Sequence, residues 1–305
     1  MQAVEVVAQL ERMFPELAKA TTALKTVLQA TRGFDYPEFM EPKTLLAFGP
    51  SGEAEVQIDA DLLVAWVGHM SHSSRARMEL LEDAILRSLA HSEVIAPATL
   101  TRSHIEAAAW AAYANEELQK AAETEFWVKL RTLLPRTLYG MAVAREAKHL
   151  PEDARDPLWL EVTSVMNAID ALDRFFTVAT ADKMRSMRVL YALLSDYAHP
   201  AIRGVRHLFE PTSETADAWT IAYSCDERTT AREAELILGS LLVSMRLGHG
   251  ASLLMRLGTI EETETGFRYL KPEAEDAMTV WQHIMLGAMP GEDASRGPRW
   301  STVVT

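Results

Sequence analysis

The sequence predicts an all-α protein, a multi-helix bundle-like body with a small β-hairpin addition in its C-terminal half. Three observations predict this. Glycine (14) and proline (13) are sparse in 305 residues, whereas alanine, leucine and glutamate dominate, and those side chains lose little rotamer freedom on a helix. Apolar residues recur at three- and four-residue spacing through most of the chain. Aromatic, alternating segments are confined to the C-terminal third. A hydrophobic share of 48% and a charged share of 24% fit a globular chain and exclude wholesale disorder.

Ala3 to Thr31 has a helical period, and Pro15 restarts the helix as a first-turn residue after Phe14. Arg32 to Gly52 holds Gly33, Pro37, Pro42, Pro50 and Gly52 and reads as a connection; Ala54–Ile58 alternates and reads as one short strand. From Asp59 to His91 the positions Leu62, Leu63, Trp66, Met70, Met78, Leu81, Ile85 and Leu89 define a helix, with a kink or break expected at Ser71–Ser74. Pro97 opens the next helix, through Leu100, Ile105, Ala109 and Tyr113. Thr124–Leu150 is helical again, with Pro135 expected to kink or divide it. Leu158–Phe176 and Lys183–His199 follow as helices, joined by a capping turn at Thr180–Asp182. Asp217–Tyr223 and Gly266–Leu270 alternate and are expected to pair as a hairpin flanking a long helix, Thr230–Leu257. Pro272–Leu286 is the last helix.

The polar stretch Pro151–Pro157 is the best candidate boundary. It divides an N-terminal helical part, 1–150, from a C-terminal part with the hairpin, 151–290, and a flexible tail, 291–305. Consecutive helices cannot each bury an apolar face alone, so the parts are expected to pack into one bundle-like body.

A formal net charge of -13 repels nucleic acid unless one face is locally basic. Lys183–Arg188 with Arg203 and Arg206 is too thin for a basic tail, so non-specific nucleic-acid binding is not expected, and only a small local RNA or nucleotide site remains open. Cys225 is the single cysteine, which excludes an intrachain disulfide and a cysteine-rich zinc site. Met1–Leu10 lacks the pattern of a signal peptide. Leu236–Met255 is interrupted by Arg246 and His249 and reads as an amphipathic helix and not a membrane span; the helix 230–257 that contains it reads either as an oligomer or partner surface or as simple core. The simplest setting is reduced and cytoplasmic.

The most informative stretch is Met187–Pro200, Met-Arg-Val-Leu-Tyr-Ala-Leu-Leu-Ser-Asp-Tyr-Ala-His-Pro. At about 100° per residue, Arg188, Ser195 and His199 fall within roughly 40° of one another, and Tyr191 lies about 40° to one side of Ser195. Four polar groups thus share a face. His199 stands in the last turn, directly before Pro200, which ends the helix. Arg102 and Glu106 form an i,i+4 pair of opposite charge that reads either as a helix-surface ion pair or, given the alanines around it, as a pair buried against that polar face, where it becomes a specificity device or a site. The structural alternative for the face is a buried polar network of Tyr, Ser and His that pins helix register.

Tyr191-x-x-Leu194-Ser195-x-x-x-His199-Pro200 resembles a signature of uncharacterised bacterial helical proteins that are broadly HEPN-like and defence-associated. Such proteins often carry an arginine and a glutamate four apart on an earlier helix, and Arg102-Ser103-His104-Ile105-Glu106 followed by three alanines matches that. The resemblance spans about Thr99 to His207. Catalytic HEPN ribonucleases place four to six residues between an arginine and a histidine. Here Arg87–His91, Arg145–His149 and Arg203–His207 each have three, so the resemblance supplies no nuclease site.

A di-metal reading rests on Glu146-x-x-His149 and Asp196-x-x-His199, with Glu79, Glu82, Glu106 and Glu161 available as further carboxylates. Asp is one methylene short, and Pro151 should end the helix beside His149, so solvated helix-end charges are the simpler account. His69-x-x-His72 has zinc-pair spacing without other clustered ligands. No nucleophile elbow, zincin motif, phosphate loop or dinucleotide fingerprint occurs. No cofactor and no metal is therefore expected. Trp159, Phe175, Phe176, Trp110, Tyr113, Phe126 and Trp127 read as core, and the 14 methionines as gap fillers.

The expected function is that of a non-catalytic interaction or regulatory protein of a bacterial defence-like system, with a protein partner or a second copy of itself and a polar, ligand-sensing helix face. The alternative is an enzyme, a HEPN-like metal-independent ribonuclease or another helical hydrolase, using His199 with Tyr191, Ser195, Arg188, Arg102 and Glu106.

Overall fold

Helix formation follows the apolar period closely in the structure, a computed structural model that describes residues 3–32, 60–126, 129–130, 133, 164–180, 187–199, 209–215, 219–223 and 229–272. Among these residues are seven α-helices: α1 (Ala3–Met13), α2 (Ala18–Arg32), α3 (Ala60–Ala90), α4 (Ile95–Lys120), α5 (Val165–Thr180), α6 (Met187–Ala198) and α7 (Ala231–Leu257). Four short strands accompany them: β1 (Phe209–Glu214), β2 (Trp219–Tyr223), β3 (Thr259–Thr263) and β4 (Gly266–Leu270). The all-α class with a small β addition holds. The strand expected at Ala54–Ile58, the Pro135 kink, the Pro151–Pro157 linker, the helix after Pro272 and the tail lie outside the described residues.

Pro15 begins a short 3-10 turn, Pro15–Leu17, between α1 and α2, as its missing N–H predicts. α3 differs from expectation, because it runs unbroken for 31 residues through Ser71–Ser74. Both serines are buried, and the Ser71 hydroxyl donates to the Ser252 carbonyl of α7 at 2.7 Å. The hydroxyl finds its acceptor on a neighbouring helix and does not compete for its own backbone. Beyond α3, Ser92 takes φ 63°, with Glu93 N–H donating to Ser88 and Ser92 N–H to Leu89, the paired bonds of a Schellman ending. Thr229 then ties the start of α7 to this corner by donating to the carbonyls of Ser92 and Glu93.

Of the two readings of α7, a partner surface or core, the structure matches the core over its C-terminal two-thirds. From Ser244 to Leu253 every residue is buried, with α2, α3 and α4 packed around it. Burial of that stretch explains the apolar run. By length and composition the helix is apolar enough to cross a membrane, yet 83% of that window is buried inside the bundle, as a core helix should be. Ser240, Ser244, Gly248 and Ser252 recur every fourth residue and let neighbours come close. A β-carbon on Gly248 would lie 2.6 Å from the Ala108 β-carbon and 3.0 Å from its α-carbon.

The helix starts with a capping box, in which Thr230 Oγ1 accepts from Glu233 N–H and the Glu233 carboxylate accepts from Thr230 N–H. Thr230→Ala should lower stability by about 1 kcal/mol, with Thr230→Ser close to wild type. Urea midpoints test this, and equal midpoints for all three proteins would refute it.

The two alternating segments do form strands, but they do not pair with each other. β1 pairs antiparallel with β2, and β3 with β4, giving two separate hairpins. The partners escaped the sequence pattern for local reasons. β3 (Thr-Ile-Glu-Glu-Thr) has one apolar residue, and β1 contains Pro211, beside which the register shifts. Short-range closure beats a pairing across a 27-residue helix. In the second hairpin Gly266 has φ 154°, and its added β-carbon would lie 2.5 Å from the Glu123 carbonyl. Tyr269 folds its ring over Gly258 and donates to the Met255 carbonyl at 3.0 Å, closing the end of α7.

The core has two clusters. The larger draws on all seven helices, so both sides of the expected boundary at residue 150 contribute to it. The smaller sits at the other end of α3, where Trp66 and Met70 meet Leu118, Phe126, Met255 and Tyr269. α4 is shared by everything relevant to the site, because it packs against α3, α5, α6 and α7.

Candidate functional site

Arg102 and Glu106 stand one turn apart on α4, and Tyr191 and Ser195 one turn apart on α6, so two i,i+4 pairs face each other across one helix contact. Arg102 Nε donates to Ser195 Oγ at 3.0 Å, and Nη2 donates to the Tyr191 hydroxyl at 2.5 Å. The Tyr191 hydroxyl donates to Glu106 Oε1 at 2.8 Å, and Arg102 Nη2 lies 3.2 Å from the same oxygen. Ser195 Oγ donates to the Tyr191 carbonyl at 2.7 Å. The guanidinium also sits 4.8 Å from the centre of the Tyr191 ring, within cation–π range. Burial, then the bond to ionised Glu106, raises the Tyr191 phenol above its ordinary value, with Arg102 opposing. Side chains of Arg102 and Glu106 remain 25% and 27% exposed, so one edge of the cluster reaches solvent.

Four of the six candidate residues therefore meet, and two do not join them. Arg188 is exposed and turns to α5, where it holds both oxygens of Asp170 at 2.7 Å. Asp173 next to it accepts from the backbone N–H groups of Met187 and Arg188, so the acidic face of α5 caps α6 and draws Arg188 away. His199 is exposed in the turn that ends α6, its backbone N–H donating to the Ser195 carbonyl. Among the described residues, no side-chain bond links it to the cluster.

The metal readings gain nothing. Glu146, His149 and Glu161 lie outside the described residues, and among the described ones no group of three His, Cys, Asp or Glu side chains is disposed to hold a metal ion.

Sequence reasoning missed a second polar cluster on the other side of α4. His104 lies about 200° around the helix from Arg102 and from Glu106, so it points into the core. There Glu82 of α3 is fully buried, and its Oε1 accepts from His249 Nε2 of α7 at 2.6 Å and from His104 Nε2 at 3.2 Å. His104 Nδ1 is 2.8 Å from the Ser244 hydroxyl, which in turn reaches the Leu241 carbonyl at 3.1 Å. Arg32 of α2, partly exposed, stands 3.5 Å from the second Glu82 oxygen and 2.7 Å from Asp83. Burial alone would push the Glu82 carboxyl up, but the two imidazoles outweigh it and hold the group ionised well below the usual carboxylate range. Burial likewise pushes His104 down, past the opposing pull of Glu82, and keeps it neutral. Ser244, His104 and Glu82 share the composition of a nucleophile, base and acid, but Ser244, His104 and Glu82 have no exposed surface from which to meet a substrate. The available signal was a titratable residue on an apolar stripe: Glu82 is spaced between Met78 and Ile85, and His249 interrupts the longest apolar run.

No protein-family model matches this chain, and no curated protein or solved structure is detectably similar to it.

Proposed function

We propose that this chain is a non-catalytic regulatory or interaction protein, and that the Arg102–Glu106–Tyr191–Ser195 cluster is where it recognises a ligand or a partner. The carrying observation is that each hydroxyl in the cluster both accepts and donates. Tyr191 accepts from Arg102 and donates to Glu106, and Ser195 accepts from Arg102 and donates to a carbonyl. Neither hydroxyl is poised to attack a substrate, and among the described residues neither has a histidine as its base. What faces solvent is an arginine beside a glutamate, a positive donor next to a negative acceptor, which suits recognition of a group carrying both functions. The defence-associated setting is supported by the sequence resemblance.

Native mass spectrometry of the full chain from its expression strain, for wild type and Arg102→Ala, tests this. Wild type should carry a small-molecule adduct or a protein partner that Arg102→Ala loses, while the variant melts within a few degrees of wild type. A variant that melts far lower, with the same bound species or none in either protein, would make the cluster a structural network and overturn the reading. RNA cleavage in EDTA that His199→Ala abolishes would replace it with the ribonuclease.

A further inference from the structure

We propose that Glu82, His104, His249 and Ser244 form a buried proton-accepting cluster that ties α3, α4 and α7 together and makes the stability of the fold fall in mild acid. The cluster joins three helices through one carboxylate oxygen, and it is built to accept two protonation states. With His104 neutral, Nε2–H donates to Glu82 and the Ser244 hydroxyl donates to Nδ1. With His104 protonated, Nδ1–H donates to Ser244 Oγ, whose own proton turns to the Leu241 carbonyl already within reach. Rotation of one hydroxyl therefore satisfies both states, and the barrier to proton uptake is the burial of a charge.

Among the described residues, the charged groups facing His104 come from three helices. Glu82 from α3 favours its protonation, and His249 from α7 opposes it. Arg32 from α2 touches the far oxygen of Glu82, with Asp83 and Glu79 beyond it. The direction of the pH effect follows from burial. His104 holds its proton less tightly folded than unfolded, so below roughly pH 6.5 the unfolded chain binds the extra proton and stability falls as pH falls. Glu82, held below its ordinary value, adds a loss of the same sign below about pH 4.5. A one-proton difference changes the folded-to-unfolded ratio by up to about tenfold per pH unit.

The test is side-chain nitrogen NMR of the histidines in the full chain from pH 8 to 5, alongside urea titrations of wild type and His104→Gln. His104 should be the Nε2–H tautomer at pH 8 and titrate below the ordinary imidazole value, and the loss of stability from pH 7 to 5 should be shallower in His104→Gln. A His104 ring already doubly protonated at pH 8, or titrating at or above the ordinary value, overturns the proposal, as does an identical pH dependence in the two proteins. Where His104→Gln does not fold, Ser244→Ala serves: it should shift the His104 midpoint to still lower pH, and an unmoved midpoint removes the hydroxyl from the cluster. A stoichiometric metal in wild type that His249→Gln loses would replace the proton with a cation.

Discussion

Glu82→Ala is expected to destabilise the protein by about 2–5 kcal/mol, the range for leaving two buried hydrogen-bond donors without their acceptor. The substitution leaves the Nε2–H groups of His104 and His249 directed at an empty space, each an unpaired buried donor of about 1–3 kcal/mol. Arg32 also loses one of its two carboxylates, although Asp83 remains at 2.7 Å. In a domain of this size the melting temperature should drop on the order of 10 °C. Glu82→Gln separates charge from shape. Its amide oxygen can still accept from the imidazoles, while its NH2 would stand against Arg32, so an intermediate loss is expected. Urea denaturation at pH 7.5 measures all three, and a Glu82→Ala midpoint within error of wild type would refute the argument.

The second large effect has opposite signs at two glycines of one helix. Gly248→Ala drives a methyl into Ala108, whose α- and β-carbons belong to the rigid body of α4, and into the Met78 sulfur at 2.5 Å. The sulfur can swing aside, but α4 cannot move without disturbing its packing on α3, α5 and α6. Overpacking of this kind costs about 1–3 kcal/mol. Gly239→Ala, nine residues earlier, meets nothing within 4 Å and gains helix propensity, so it should stabilise by up to about 1 kcal/mol. Thermal melts of the two variants should move in opposite directions from wild type. Melts that shift the same way would show that propensity alone governs both positions.

The helices were legible because their signal is local. A stripe such as Leu63–Trp66–Met70 repeats within a few turns, and the capping box at Thr230 and Glu233 marks its helix start in four residues. Four of the site residues were legible for the same reason, as two i,i+4 pairs, and the alanines around Arg102 and Glu106 announced a close helix contact. Which helix would supply that contact was inferred from the matching polar face of α6, across 89 residues between Arg102 and Tyr191. What failed were assignments that depend on the third dimension. Arg188 shares a helical face with Ser195, yet a carboxylate on α5, invisible from α6 alone, claims it. His249 looked like the polar edge of an amphipathic helix, because nothing in its own neighbours shows Glu82, 167 residues away. The serines of α3 looked like a break, since the Ser252 carbonyl that receives Ser71 lies 181 residues downstream.

The central place of α7 also bears on the order in which the chain is made. Synthesis runs from the N-terminus, so α1 to α4 leave the ribosome well before Leu257 exists. During that interval the faces of α2, α3 and α4 that receive α7 in the finished fold lack that helix, with the Glu82 carboxylate and the His104 ring among them. Until then the chain lacks the helix around which α2, α3 and α4 pack, so the part of the fold built on α7 forms only once Leu257 has emerged.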